Sequence, residues 1–153
     1  FMHWFNTYFQ AEKHTVLTSS HWRSIGCGLP GAIGVSAAQK KRKTVALVGD
    51  GGLLLTLGEL ATASKYQLPI LIVVANNHQY NLEKSKMEAQ GLAPFGYQIA
   101  VPDFVTVTKA FGGQGRTVTE APQLEDAILE GLKHDGPFVL DVHLQPVALP
   151  FIC

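Results

Sequence analysis

Apolar residues gather in three short, nearly unbroken runs, residues 44–48, 69–75 and 138–144, each bounded by turn-forming or polar residues. Runs of this length, rich in Val, Ile and Leu, predict strands buried on both faces. Between them, apolar positions recur at helical spacing over residues 29–40, 53–65, 103–111 and 121–134. Pro30 suits the first turn of its helix, and Gly112-Gly113 suits a helix end. Residues 15–18 and 115–118 are weaker strand candidates. Strands alternating with helices predict an α/β fold: three layers, doubly wound, with a mostly parallel sheet and helices on both faces. Ligands of such sheets sit at the carboxyl ends of the strands, where residues 49–52 and 76–80 both fall. The aromatic residues Trp4, Phe5, Tyr8 and Phe9 form a cluster suited to the core or to a subunit interface, with the core the preferred expectation.

Composition sharpens this picture in two respects. A chain of 153 residues, 46% of them hydrophobic, has material for one domain with a substantial core. Twelve Lys and Arg balance twelve Asp and Glu, so no overall field draws the chain to nucleic acid or to an anionic membrane. Any anion must be held locally. Cys27 and Cys153 are too few for a disulfide framework, which predicts a reducing, cytoplasmic setting. Cys27 is expected to pack in the core. The six histidines show no metal-ligand spacing. His78 is the best placed of them to meet a substrate or a diphosphate, but a solvated loop histidine is the reading preferred for it.

The candidate chemistry lies at the first of those strand ends. Residues 45–48 run into Gly49-Asp50-Gly51-Gly52, after which an apolar helix begins. A strand, a glycine turn and a helix make an anion site, because glycine lets the backbone approach a phosphate and the first-turn amides point at it. An aspartate would repel a bare phosphate. A divalent cation bridging Asp50 to a diphosphate removes that conflict, since Mg²⁺ favours one or two carboxylate oxygens together with phosphate oxygens. On Gly-Asp-Gly alone, an ordinary helix cap accounts for Asp50 equally well. Asn76-Asn77 tips the balance by following the next predicted strand, so that neighbouring parallel strands bring a carboxylate and a neutral amide oxygen to one edge.

Gly-Asp-Gly, twenty-four residues, then Asn-Asn resembles the fingerprint of thiamine diphosphate (ThDP) enzymes. The resemblance extends to residues 24–34, Ser-Ile-Gly-Cys-Gly-Leu-Pro-Gly-Ala-Ile-Gly, and can be followed from Trp4 to the Ala148-Leu149-Pro150 tail. It implies the diphosphate-binding domain of such an enzyme. Asp50, the Asn77 side chain and the Gln79 backbone carbonyl would then bind Mg²⁺, and Gly51 and Gly52 would lie against the diphosphate. Ile25 matches the bulky apolar residue that props the cofactor into its bent shape, with Ser24 and the Arg23 carbonyl beside the rings. The family usually has glycine at the position of Arg23.

The same resemblance implies decarboxylation of a 2-oxo acid, with pyruvate the expected substrate. Pyruvate oxidases and acetolactate synthases are the nearest branches. Residues 27–33, residues 84–91, Pro102-Asp103-Phe104 and the Pro-x-x-Leu-Pro tail point to the oxidase. In that branch an aromatic and then an acidic residue follow the Asn-Asn pair near the substrate and flavin, but here Leu82 and Lys86 stand in those positions. FAD would be held mainly by a central domain and the activating glutamate by a pyrimidine-binding domain, both expected upstream of this chain. The expected whole is a homo-oligomer, with peripheral membrane association if a quinone is the acceptor. The competing reading is a cofactor-binding or structural fragment, inactive by itself.

Overall fold

The computed structural model describes residues 2–11, 15–18, 24–39 and 42–145. Four strands are found among them: β1 (Thr44–Gly49), β2 (Ile70–Asn76), β3 (Gln114–Val118) and β4 (Phe138–His143). All pair in parallel in the order β1-β2-β4-β3, so their carboxyl ends lie along one edge. The register places Val48 beside Val74, Val74 beside Asp141, and Asn76 beside His143.

Seven α-helices accompany the sheet: α1 (Met2–Tyr8), α2 (Gly28–Ala38), α3 (Asp50–Leu55), α4 (Glu59–Lys65), α5 (Asn81–Ala89), α6 (Phe104–Ala110) and α7 (Leu124–Lys133). One face of the sheet carries Ala46, Val48, Ile70, Ile72, Val74 and Val139, packed under Leu29 of α2, Leu53 of α3, Leu60 of α4 and Phe104 of α6. The other carries Leu71, Phe138 and Leu140 beneath Ala127 of α7. Both faces are thus covered by helices, as the alternating pattern requires. The second face of β1 is less protected, and Val45 and Leu47 remain 53% and 39% exposed there. At the opposite end of the sheet Lys43 donates to the His134 carbonyl just past α7, and burial pushes the Lys43 ammonium pKa down against the opposing effect of Asp135.

Several expectations need correction. The helix expected over residues 53–65 is two helices: α3 starts at Asp50 because Gly51 and Gly52 take helical conformations, and residues 56–58 form a turn before α4. Residues 15–18 form no strand, and all four are exposed. The aromatic group in α1 and just beyond it is not core. Trp4 stacks on Tyr8 and Phe5 on Phe9, at centroid separations of 5.7 and 4.5 Å, but α1 buries none of its residues. Cys27, expected in the core, is exposed. Helix α5 escapes the apolar pattern altogether because it buries nothing and is held by surface pairs, Lys84 with Glu88 and Lys86 with Glu83.

Helix α6 begins at a side-chain cap. Asp103 Oδ1 accepts the Thr106 backbone N–H at 2.9 Å, and its Oδ2 accepts the Thr106 hydroxyl at 2.8 Å. The Thr106 amide, followed by its hydroxyl, holds the Asp103 carboxyl below the usual carboxylate range. A depressed folded-state pKa means that the charged cap contributes fully above the unfolded-state value and is lost as pH falls through the lower, folded-state value. Asp103→Ala is therefore expected to cost about 1 kcal/mol at neutral pH. Urea midpoints should show the difference from the parent shrinking in acid, and a gap that persists undiminished would rule out a charge-dependent cap.

Candidate functional site

Chain entry and exit at the carboxyl edge set the site. Strand β1 ends at Gly49 in an extended conformation, and Asp50 turns directly into α3. The Asp50 carboxylate is 4% exposed, yet both its oxygens are engaged: Oδ1 accepts the Gly51 backbone N–H at 2.8 Å and Oδ2 accepts the Asn77 backbone N–H at 3.2 Å. The second bond joins the end of β1 to the end of β2. Asp50 and Asn77 are thus brought together as their strand-end positions predict. Each carboxylate oxygen has a second lone pair, so these bonds leave acceptor capacity for a cation.

Gly51 is required by its neighbour, whereas Gly52 has room for a Cβ. A Cβ on Gly51 would lie 2.4 Å from Tyr80 Cε1 and 2.9 Å from its hydroxyl, so the Tyr80 ring sits against the bare backbone of the turn. Gly52 faces a different segment, with the Gly26 amide nitrogen and Ile25 Cγ2 nearest to where its Cβ would be, at 3.8 and 3.9 Å. Gly26 makes that approach possible by taking φ +95°, a left-handed value, and its carbonyl accepts the Thr56 hydroxyl at 3.3 Å. Residues 24–28 and the 49–52 turn therefore meet at one place. Ile25 remains 59% exposed there, an apolar side chain beside a polar turn. Ser24 is exposed and its carbonyl accepts the Cys27 N–H at 3.4 Å. Arg23 lies outside the described residues.

Beyond Asn77 the chain is strapped by residues 97–99. Gln79 and Gln98 form an antiparallel bridge, with the Tyr80 N–H donating to the Tyr97 carbonyl at 2.7 Å and the Ile99 N–H to the His78 carbonyl at 3.0 Å. Because peptide groups alternate along an extended strand, this strap uses the groups on either side of Gln79 and leaves its own carbonyl facing the other way. The Gln79 side chain donates to Asn81 Oδ1 at 3.1 Å. His78 is exposed, and its ring stands 6.0 Å from that of His143 in an edge-on arrangement. Leu82 and Lys86 both lie on α5, where Lys86 pairs with Glu83 at 3.3 Å.

Sequence reasoning missed Tyr80, whose contact with Gly51 no local pattern reveals. It also missed Asp141, the lone acid in the apolar run of β4, where a charge within a buried strand was the available signal.

A parallel sheet that gathers a buried carboxylate, a Gly-Gly turn and an amide pair at its carboxyl edge has the layout of a cofactor-binding α/β domain. Comparison with known proteins makes the class specific. Residues 1–142 match the family described as thiamine pyrophosphate enzyme, C-terminal TPP binding domain. Acetolactate synthase of Bacillus subtilis (strain 168) is 33% identical over 144 residues, covering 91% of this chain and 25% of that protein. The large subunit of acetolactate synthase isozyme 2 from Escherichia coli (strain K12) is 31% identical over 131 residues, covering 84% of this chain and 24% of that protein. Among solved structures, the ThDP-dependent 4-hydroxybenzoylformate decarboxylase of Rhodococcus jostii RHA1 superposes with a TM-score of 0.74 at 27% identity, covering 79% of this chain and 23% of that one. The chain spans about a quarter of the length of these relatives. It belongs to the ThDP enzyme family and is its C-terminal ThDP-binding domain.

Proposed function

We propose that this chain anchors the diphosphate of Mg²⁺-ThDP in an enzyme that decarboxylates a 2-oxo acid, with pyruvate the expected substrate. The observation that carries the reading is the Asp50 carboxylate, buried between the ends of β1 and β2 beside two glycines. A buried negative charge beside a diphosphate requires a cation between them, and a hard divalent ion with oxygen ligands meets that need. Asp50, the Asn77 side chain and the Gln79 carbonyl would hold Mg²⁺. The backbone at Gly51 and Gly52 would receive the diphosphate, while Ile25, Ser24 and Arg23 would border the rings. When bound, ThDP supplies the electron sink for decarboxylation. The chain's own residues would position the cofactor and hold the cation that balances the charge of its diphosphate.

The remaining parts of the reaction are assigned to other sequence. A pyrimidine-binding domain from the same or a neighbouring subunit would complete the site, making a homo-oligomer the working form and leaving this chain inactive alone. Residues 27–33 and 84–91 support a pyruvate oxidase type with FAD held mainly elsewhere. The acetolactate synthases among the relatives favour a second reading, in which the two-carbon unit passes to another 2-oxo acid. A cytoplasmic enzyme fits both, with membrane association for a quinone-linked oxidase. No helix among the described residues is long and apolar enough to cross a membrane.

Product analysis tests the proposal. The full-length protein, given pyruvate, ThDP and Mg²⁺, is expected to release CO₂. Acetate formed with stoichiometric reduction of a quinone or dye identifies the oxidase, and one acetolactate per two pyruvates identifies the synthase. Failure to release CO₂ from pyruvate or from an aromatic 2-oxo acid, with Mg²⁺ and ThDP bound, would sink the enzyme reading.

A further inference from the structure

Strands β2 and β4 carry polar side chains where a sheet buried on both faces is ordinarily apolar. Asn76, the last residue of β2, is 2% exposed, and Asp141 of β4 is 3% exposed. They satisfy each other: Asn76 Nδ2 donates to Asp141 Oδ1 at 3.0 Å. The second oxygen of Asp141 lies 3.3 Å from His143 Nε2.

This pairing fixes which way the Asn76 amide faces. An ionised carboxylate only accepts hydrogen bonds, so the Asn76 nitrogen must face Asp141, and its oxygen is left pointing along the chain. That oxygen accepts the His78 backbone N–H at 3.3 Å. The Asn76 side chain therefore spans the residue between, which is Asn77. His78 takes φ +57°, a left-handed conformation uncommon for a residue with a Cβ and persistent only where surrounding contacts impose it. The Leu144 N–H adds a further tie across β2 and β4, donating to the Asn76 carbonyl at 2.7 Å. Asn77 is thus held from both sides, by Asn76 through the turn and by Asp50 at its own N–H.

We propose that Asp141 and Asn76 are positioning residues for the Mg²⁺ site. The carboxylate on β4 orients the Asn76 amide, and that amide holds the turn which keeps Asn77 and Gln79 where they serve as ligands. This rests on the Mg²⁺-ThDP reading above. Buried hydrogen-bonded pairs behind metal ligands act in this way in many metal sites, and their loss typically costs about 10- to 100-fold in metal affinity.

The experiment is a Mg²⁺ titration of the full-length protein at fixed ThDP, followed by the change in intrinsic fluorescence. Thermal unfolding of the metal-free protein is measured alongside. Asp141→Ala strands the Asn76 nitrogen and is expected to raise the half-saturating Mg²⁺ concentration about tenfold. Asp141→Asn keeps an oxygen that accepts from Asn76 and is expected to stay within about threefold of the parent, since only loss of the bond costs the larger factor. Parent-like Mg²⁺ affinity in Asp141→Ala, whatever its unfolding temperature, would show a merely structural role and overturn the proposal. So would an equal loss in Asp141→Asn, because the charge rather than the orientation would then be responsible. If Asp141→Ala does not fold, the reversed pair Asn76→Asp/Asp141→Asn decides. The amide then donates from position 141 and the carboxylate at position 76 still accepts from His78, so near-parent affinity supports the proposal and a tenfold loss defeats it. Asp50→Ala separates this inference from its premise: Mg²⁺-dependent binding retained there defeats the Mg²⁺-ThDP reading itself, irrespective of Asp141.

Discussion

Asp50→Ala in the full-length protein is expected to lose Mg²⁺-dependent ThDP binding, with cofactor affinity falling by at least the roughly 100-fold at the upper end for outer-shell changes at metal sites. The magnitude follows from what the carboxylate does twice over. It is the only acid on the 49–52 turn, so its removal takes away the negative charge that would hold a divalent cation against a diphosphate. It also joins the turn to Asn77, so the second proposed side-chain ligand loses its tether. Asp50→Asn separates these effects, since an amide oxygen accepts one backbone N–H while carrying no charge. That variant can keep the bond to the Asn77 N–H at the expense of the one to Gly51, and should still bind ThDP poorly at moderate Mg²⁺, with partial recovery at high Mg²⁺. Calorimetry with and without Mg²⁺ checks both. The fold should survive in each case, because Asp50 packs at the edge of the sheet and the buried residues of the core beneath it are apolar. Unchanged cofactor affinity in Asp50→Ala would remove the basis for the site.

How much of this was legible beforehand depended on whether the information was local. The β1 and β4 runs were readable to within a residue because nearly unbroken apolar residues over a strand's length admit few other structures. The meeting of Asp50 with Asn77 was readable because adjacent parallel strands bring their ends to one edge. Helix α5 was not, since its stability owes nothing to a buried face and periodicity has nothing to detect. The start of α3 was misplaced because Gly51 and Gly52 have poor helix propensity, which tertiary packing overrode. Ile25 beside Gly52, Tyr80 over Gly51 and Asn76 against Asp141 all depend on contacts between distant segments. The last spans 65 positions and exists only because β4 lies next to β2, an adjacency that apolar patterning does not encode. Cys27 and the aromatic residues of α1 were misjudged for a related reason. Apolar character states a preference for burial, but whether a segment is covered depends on the elements around it.

The largest effect on stability is expected at Phe104, which is not one of the proposed ligands. Its side chain is fully buried at the start of α6, in the cluster that joins Val139 of β4 to Ile72 and Val74 of β2. Phe104→Ala removes a ring from close-packed surroundings that relax only in part, and buried Phe→Ala changes cost about 3–5 kcal/mol. That is a large fraction of the roughly 5–15 kcal/mol available to a typical domain, so the denaturant midpoint should fall steeply. Phe95→Ala is the internal control. Phe95 is 87% exposed, and an exposed change of this kind should stay within about 0.5 kcal/mol. Equal midpoints for the two variants would contradict the packing of α6 against the sheet. Because Phe104 acts on the whole domain rather than on the carboxyl edge, the folded fraction of Phe104→Ala should titrate with Mg²⁺ as the parent does. The Asp50 and Phe104 variants thus fall in different quadrants of stability against metal affinity, whereas a single determinant governing both would move the two properties together.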